Sequence, residues 1–135
     1  MRRVSNLVGG LVAASAVAAA VSCGGSSSSG PTPPGICTLS SSPTTFVIMI
    51  NVVCPQSLTV ARGTQVTFTN QDSISHEIDS DPHPEHTDCV EINQVDFLNP
   101  GQSKQTGNLN TARRCGFHDH RNPGNAGLKG TITIQ

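Results

Sequence analysis

From residue 44 onward, apolar and polar positions alternate over short stretches that Gly, Pro and Asn interrupt. Residues 47–53 (Val-Ile-Met-Ile-Asn-Val-Val) are dense in β-branched side chains and read as a strand. Ser57–Val60 follows, with Arg62-Gly63 as the next turn. Residues 64–70 alternate strictly, placing Val66 and Phe68 on one face. His76–Ser80 reads as a short strand ended by Pro82-His83-Pro84, because neither proline can donate to a ladder. Asn99-Pro100-Gly101-Gln102 is a turn, and residues 104–109, 113–118 and 128–134 supply further strands. No amphipathic helical period of useful length follows residue 36. Short strands at this spacing predict an all-β antiparallel sandwich over residues 44–135.

The front of the chain has a different pattern. Arg2 and Arg3 precede an apolar, small-residue run over residues 7–21. That run is shorter than the ~20 residues a spanning helix needs and fits a secretory leader, residues 1–22. It ends in Ala20-Val21-Ser22-Cys23, which resembles a bacterial lipobox with Ala20 in place of the usual Leu. Cys23 is therefore expected to carry lipid. Residues 23–43 then read as a tether, since Gly24 to Gly30 is a flexible Gly/Ser run and Pro31 to Gly35 is proline-rich and extended. The expected location is the cell envelope, lipid-anchored and periplasmic or extracellular-facing.

Cysteine count agrees with export. Of five Cys, assigning Cys23 to lipid leaves Cys37, Cys54, Cys89 and Cys115, enough for two disulfides in an oxidising compartment. Three connectivities are open, and the sequence-local one pairs Cys37 with Cys54 and Cys89 with Cys115. Loss of Arg2 and Arg3 with the leader takes Lys plus Arg from 8 to 6 against 9 Asp plus Glu, so the mature charge is about −3. A nucleic-acid partner, which selects for a basic face, is not expected. Nor is an enzyme: no nucleophile–base constellation stands out.

Charge and composition leave the histidines as the candidate chemistry. All five lie in the second half of the chain, at His76, His83, His86, His118 and His120. Imidazole is the commonest protein ligand for copper and zinc. His76 follows the Asn70-Gln71-Asp72 turn, and His118-Asp119-His120 ends the last cluster. These two regions look built to close a metal site between distant loops. His83 and His86 sit in a proline-rich loop and are further candidates. Asp79, Asp81, Glu85, Asp88 and Glu91 read as a solvated acidic loop able to attract cations. Met49, in an apolar strand, reads as core.

Several of these segments together resemble the cupredoxin family of plastocyanin- and azurin-like copper domains. They are Leu58-Thr59-Val60, Gly63 through Asn70, His76 after the Asp72 turn, Pro100-Gly101-Gln102-Ser103, and Gly130-Thr131-Ile132-Thr133-Ile134. The resemblance implies an antiparallel Greek-key β-sandwich with copper at one end, between the His76 loop and the loop before the last strand. His76 matches the family's first copper histidine.

Two registers are open for the other ligands. In one, Cys115-Gly116-Phe117-His118 has the family's Cys-x-x-His spacing, which makes Cys115 a blue-copper thiolate, with Leu128 at the axial position. In the other, Asp119 stands where the ligand cysteine would be, and His118-Asp119-His120-Arg121-Asn122-Pro123 matches a cupredoxin-like subgroup. The second register is preferred. It implies a copper set of His76, His118 and His120 with Asp119 as an oxygen ligand or support, and leaves Cys115 free to pair with Cys89. The function implied is copper handling in the cell envelope, with a copper ion, the membrane and a redox or copper-delivery protein as partners. The alternatives are a type 1 blue-copper electron carrier using Cys115, and a metal-free structural or interaction sandwich.

Overall fold

The computed structural model describes Cys37 and residues 42–135. The leader, Cys23 and nearly all of the expected tether lie outside the described residues. Among the described residues nine strands form two sheets. They are β1 (Thr45–Met49), β2 (Val52–Cys54), β3 (Ser57–Val60), β4 (Thr67–Asn70), β5 (His76–Ser80), β6 (Asp96–Leu98), β7 (Ser103–Gln105), β8 (Arg113–Asp119) and β9 (Lys129–Ile134). One sheet has the order β2-β1-β4-β7, the other β3-β9-β8-β5-β6. Single 3-10 turns at Ile92–Gln94 and Ala126–Leu128 are the helical elements among the described residues, and no described helix is long and apolar enough to cross a membrane.

The sandwich is as expected, but its sheets are mixed rather than purely antiparallel. β1 pairs parallel to β4 and β3 parallel to β9. The cause is the chain's route. After β2 it crosses to the other sheet as β3, then returns as β4 beside β1 and in the same direction.

The expected single strand over 47–53 is a hairpin. Ile50 and Asn51 take φ of 50° and 57°, and Met49 pairs with Val52. Two left-handed residues in succession suit the twist of a two-residue hairpin. The Asn51 amide donates to Asp72 Oδ2 at 2.8 Å, which ties this turn to the loop before β5. The strand expected over 104–109 is likewise shorter: β7 ends at Gln105, and Leu109 makes only an isolated bridge to Thr64. β6, which alternation did not predict, is a three-residue edge strand against β5.

Three of the four phenylalanines build the centre. Phe46, Phe68 and Phe117 are fully buried, with ring centroids 4.8–5.0 Å apart, one pair stacked and two edge-on. Gly130 lies opposite Phe117 in the β8–β9 register, where a Cβ would run into the Phe117 ring. The structure pairs Cys37 with Cys54 and Cys89 with Cys115. The second bridge ties the segment after β5 to β8, the strand that carries His118.

Candidate metal centre

Strand alternation sorts the end of β8 into two faces. Cys115, Phe117 and Asp119 belong to one face, Gly116 and His118 to the other. In the β5–β8 register Asp79 stands across from His118. Beyond β5 the chain folds back on itself: the Asp88 amide donates to the Asp81 carbonyl at 2.8 Å, and the His86 amide to the Pro82 carbonyl at 2.7 Å. The Asp81 amide donates to the Gly116 carbonyl at 3.0 Å, tying this loop to β8. His86 adopts φ 53°, and Asn93 Nδ2 donates to its carbonyl at 2.9 Å.

The fold-back brings His83 and His86 to His118 and His120. One ligand atom from each of the four lies within 4.8 Å of the others. Ring centroids are 4.8 Å apart for His86 and His120, 4.9 Å for His83 and His120, and 5.2 Å for His86 and His118. His118 is buried, His86 and His120 are half-buried, and His83 is exposed, so the group has a closed floor and an open side.

Two features suit a metal. First, His118 Nδ1 lies 2.7 Å from Asp81 Oδ1, while its Nε2 is buried with no hydrogen-bond partner. A buried polar atom without a partner is costly unless something else meets it. Second, His120 Nδ1 and His86 Nε2 are 3.1 Å apart. Two nitrogens each ~2.0–2.1 Å from one ion lie roughly 2.9–3.4 Å from each other. Asp79 Oδ2 stands 3.6 Å from His86 Nδ1 and 3.7 Å from His120 Nδ1, adding negative charge beside two of the rings.

The expected ligands His76 and Asp119 lie outside this group and meet each other. His76 Nδ1 is 2.7 Å from Asp119 Oδ2, and both residues are buried. Asp119 Oδ1 accepts from the amides of Arg121 at 2.9 Å and Glu77 at 3.3 Å. His76 Nε2 has no hydrogen-bond partner and lies 3.5 Å from Asp72 Oδ2. The Asn51 amide holds the Asp72 carboxyl below its usual range. Burial opposes that shift, while the Ser73 amide and His76 add to it. A cleft of about 510 Å³ beside this pair is lined by Ser73, Ile74, Asp119, Arg121 and Asn122 among others, and by none of the four clustered imidazoles. The structure thus gathers four of the five histidines and keeps His76 apart with Asp119. Asp79 and Asp81, read from the sequence as solvated charge, stand against three of these rings. The available signal was alternation, which puts Asp79 and Asp81 on one side of the chain; that Asp79 pairs with His118 is set by the β5–β8 register.

No protein-family profile matches the chain. Plastocyanin from Scenedesmus fuscus is 36% identical over 84 residues, covering 60% of this chain and 84% of that protein. The chain belongs to the cupredoxin family. Solved structures agree on the fold. A purple cupredoxin from Nitrosopumilus maritimus superposes with a TM-score of 0.56 at 20% identity, covering 68% of this chain and 99% of that one. Amicyanin from Paracoccus versutus gives 0.56 at 12% identity, covering 73% and 86%. As a cupredoxin the chain has copper as its cofactor, and the four imidazoles are a donor set suited to it. A blue-copper site also needs a cysteine thiolate. Every cysteine among the described residues of this cupredoxin domain is in a disulfide, Cys115 included.

Proposed function

We propose that this cupredoxin domain binds copper at His83, His86, His118 and His120 and serves to hold or deliver Cu(II) in the cell envelope. The observation that carries the reading is the buried, unpartnered Nε2 of His118 among three further imidazoles. Neutral nitrogen donors suit Cu(II), while the absence of a thiolate or thioether from the group disfavours Cu(I). A site without thiolate is poorly suited to rapid redox cycling, so storage or delivery is favoured over electron transfer. The exposed ring of His83 supports exchange with a partner, because the outermost ligand is the one an acceptor could displace. The leader and Cys23 support attachment to a membrane by lipid rather than by a helix.

Cu(II) titration of the mature protein tests the site. The expected result is a pale complex with no intense thiolate charge-transfer band. Tight binding is lost in His118→Ala and weakened in His86→Ala, while His76→Ala keeps most of it. If His76→Ala abolishes binding and His118→Ala does not, the metal belongs with His76 and Asp119. A deep blue complex with a free thiol at Cys115 would establish the electron-carrier reading instead. Labelling with a radioactive fatty acid, lost in Cys23→Ser, checks the anchor.

A further inference from the structure

We infer that Asp81 is the positioning residue that makes His118 a ligand, and that position 116 is glycine so that Asp81 can reach it. The inference rests on the four-imidazole reading above. A carboxylate oxygen only accepts, so the 2.7 Å contact from Asp81 Oδ1 places a proton on His118 Nδ1. In the neutral ring that leaves the lone pair on Nε2, the buried atom without a partner. The opposite tautomer would put a hydrogen on Nε2 and block coordination there. Asp81 therefore determines which nitrogen is available as well as the ring's orientation.

The strand beneath is shaped for this carboxylate. Gly116 and His118 share a face of β8, and a Cβ built on Gly116 would collide with the Asp81 carboxylate. Gly116 is not among the glycines at positive φ, so backbone freedom does not explain it; close approach of the carboxylate does. The same residue pins Asp81 by its main chain, through the 3.0 Å bond from the Asp81 amide to the Gly116 carbonyl. Asp79 does not duplicate this role. At 3.6 and 3.7 Å from its two imidazoles, it lies beyond the reach of a good hydrogen bond.

The test uses the mature protein and two readouts. In the metal-free protein, nitrogen-15 NMR of the imidazoles should show His118 with its proton on Nδ1 and a bare Nε2. Asp81→Ala should lose that preference. Competition titration with Cu(II) should show affinity falling roughly 10- to 100-fold in Asp81→Ala. Asp81→Asn, whose amide oxygen can still accept, should recover part of the loss. Gly116→Ala should reproduce it with Asp81 intact. Asp88→Asn, which removes a charge from the same exposed loop, should bind close to wild type. The Asp81 side chain is 41% exposed, so its variants leave the core packed, and they carry the test if Gly116→Ala folds poorly. A proton on Nε2 in the wild-type apo protein overturns the inference. So does full affinity in Asp81→Ala when His118→Ala is weakened. If His118→Ala also binds as wild type, the four-imidazole reading fails, and the apo tautomer still decides the role of Asp81.

Discussion

His118 and Asp119 are neighbours in sequence that serve opposite faces of one strand. His118 turns toward the loop histidines, while Asp119 turns toward His76 and the amides of Glu77 and Arg121. His76 and Asp119 together form a buried strut under the turn that places His120, whose amide donates to the Glu77 carbonyl at 2.7 Å. Asp72, the next carboxylate in this strut, accepts from the Asn51 and Ser73 amides at 2.8 Å each. Its carboxyl is held below the ordinary 3.8, chiefly by the Asn51 amide. A depressed folded value stabilises the protein above the unfolded value, and this contribution disappears as pH falls through the folded one. Asp72→Asn should therefore cost about 1 kcal/mol at neutral pH. The difference from wild type should shrink once pH drops below 3.8. Denaturant melts at pH 7 and at pH 3 check this; an equal gap at both would mean that the shape of Asp72, not its charge, matters.

At the level of elements, the strands that alternation marks well are those whose apolar inward positions recur at period two, even where the opposite face is also covered. β5 occupies the expected residues and β8 extends one residue further, because their inward residues Ile78, Cys115 and Phe117 are apolar at period two. The β1–β2 hairpin was hidden because its tip is as apolar as its strands: Ile50 is the residue that turns, and only Asn51 hints at it. Ile50 is 72% exposed and sits at φ 50°, where a β-branched side chain is strained. Ile50→Asn should raise stability by about 1 kcal/mol, since Asn tolerates the left-handed region and little burial is lost. Thermal melts of the metal-free domain decide it, and a lower midpoint would show that Ile50 makes contacts that outweigh its strain. The site was only partly legible for a related reason. Spacing marks His118 and His120 but cannot show that the loop beyond β5 folds back, so His83 and His86 read only as further candidates beside the set of His76, His118, His120 and Asp119.

The whole molecule divides the work between its disulfides. Cys37–Cys54 reinforces edge strand β2 in the first sheet, whereas Cys89–Cys115 joins the end of the histidine loop to the strand that carries His118. Their sequence separations of 17 and 26 residues are similar, so each bridge restricts the unfolded chain to a comparable degree. Loop-closure entropy puts that at roughly 3–4 kcal/mol apiece. The two should differ in what they do for the metal. Replacing both Cys89 and Cys115 by Ser should lower stability by that amount and also weaken Cu(II) binding in the molecules that remain folded. The loop would then be free to carry His83 and His86 away from His118 and His120. Replacing Cys37 and Cys54 should lower stability alike but leave Cu(II) affinity unchanged. Urea melts of the metal-free variants give the first quantity, and Cu(II) competition at low temperature, where both variants stay folded, gives the second. Equal copper affinity in the two double variants would mean that the Asp81–Gly116 and Asn93–His86 bonds suffice to hold the loop, leaving the Cys89–Cys115 bridge a purely global role.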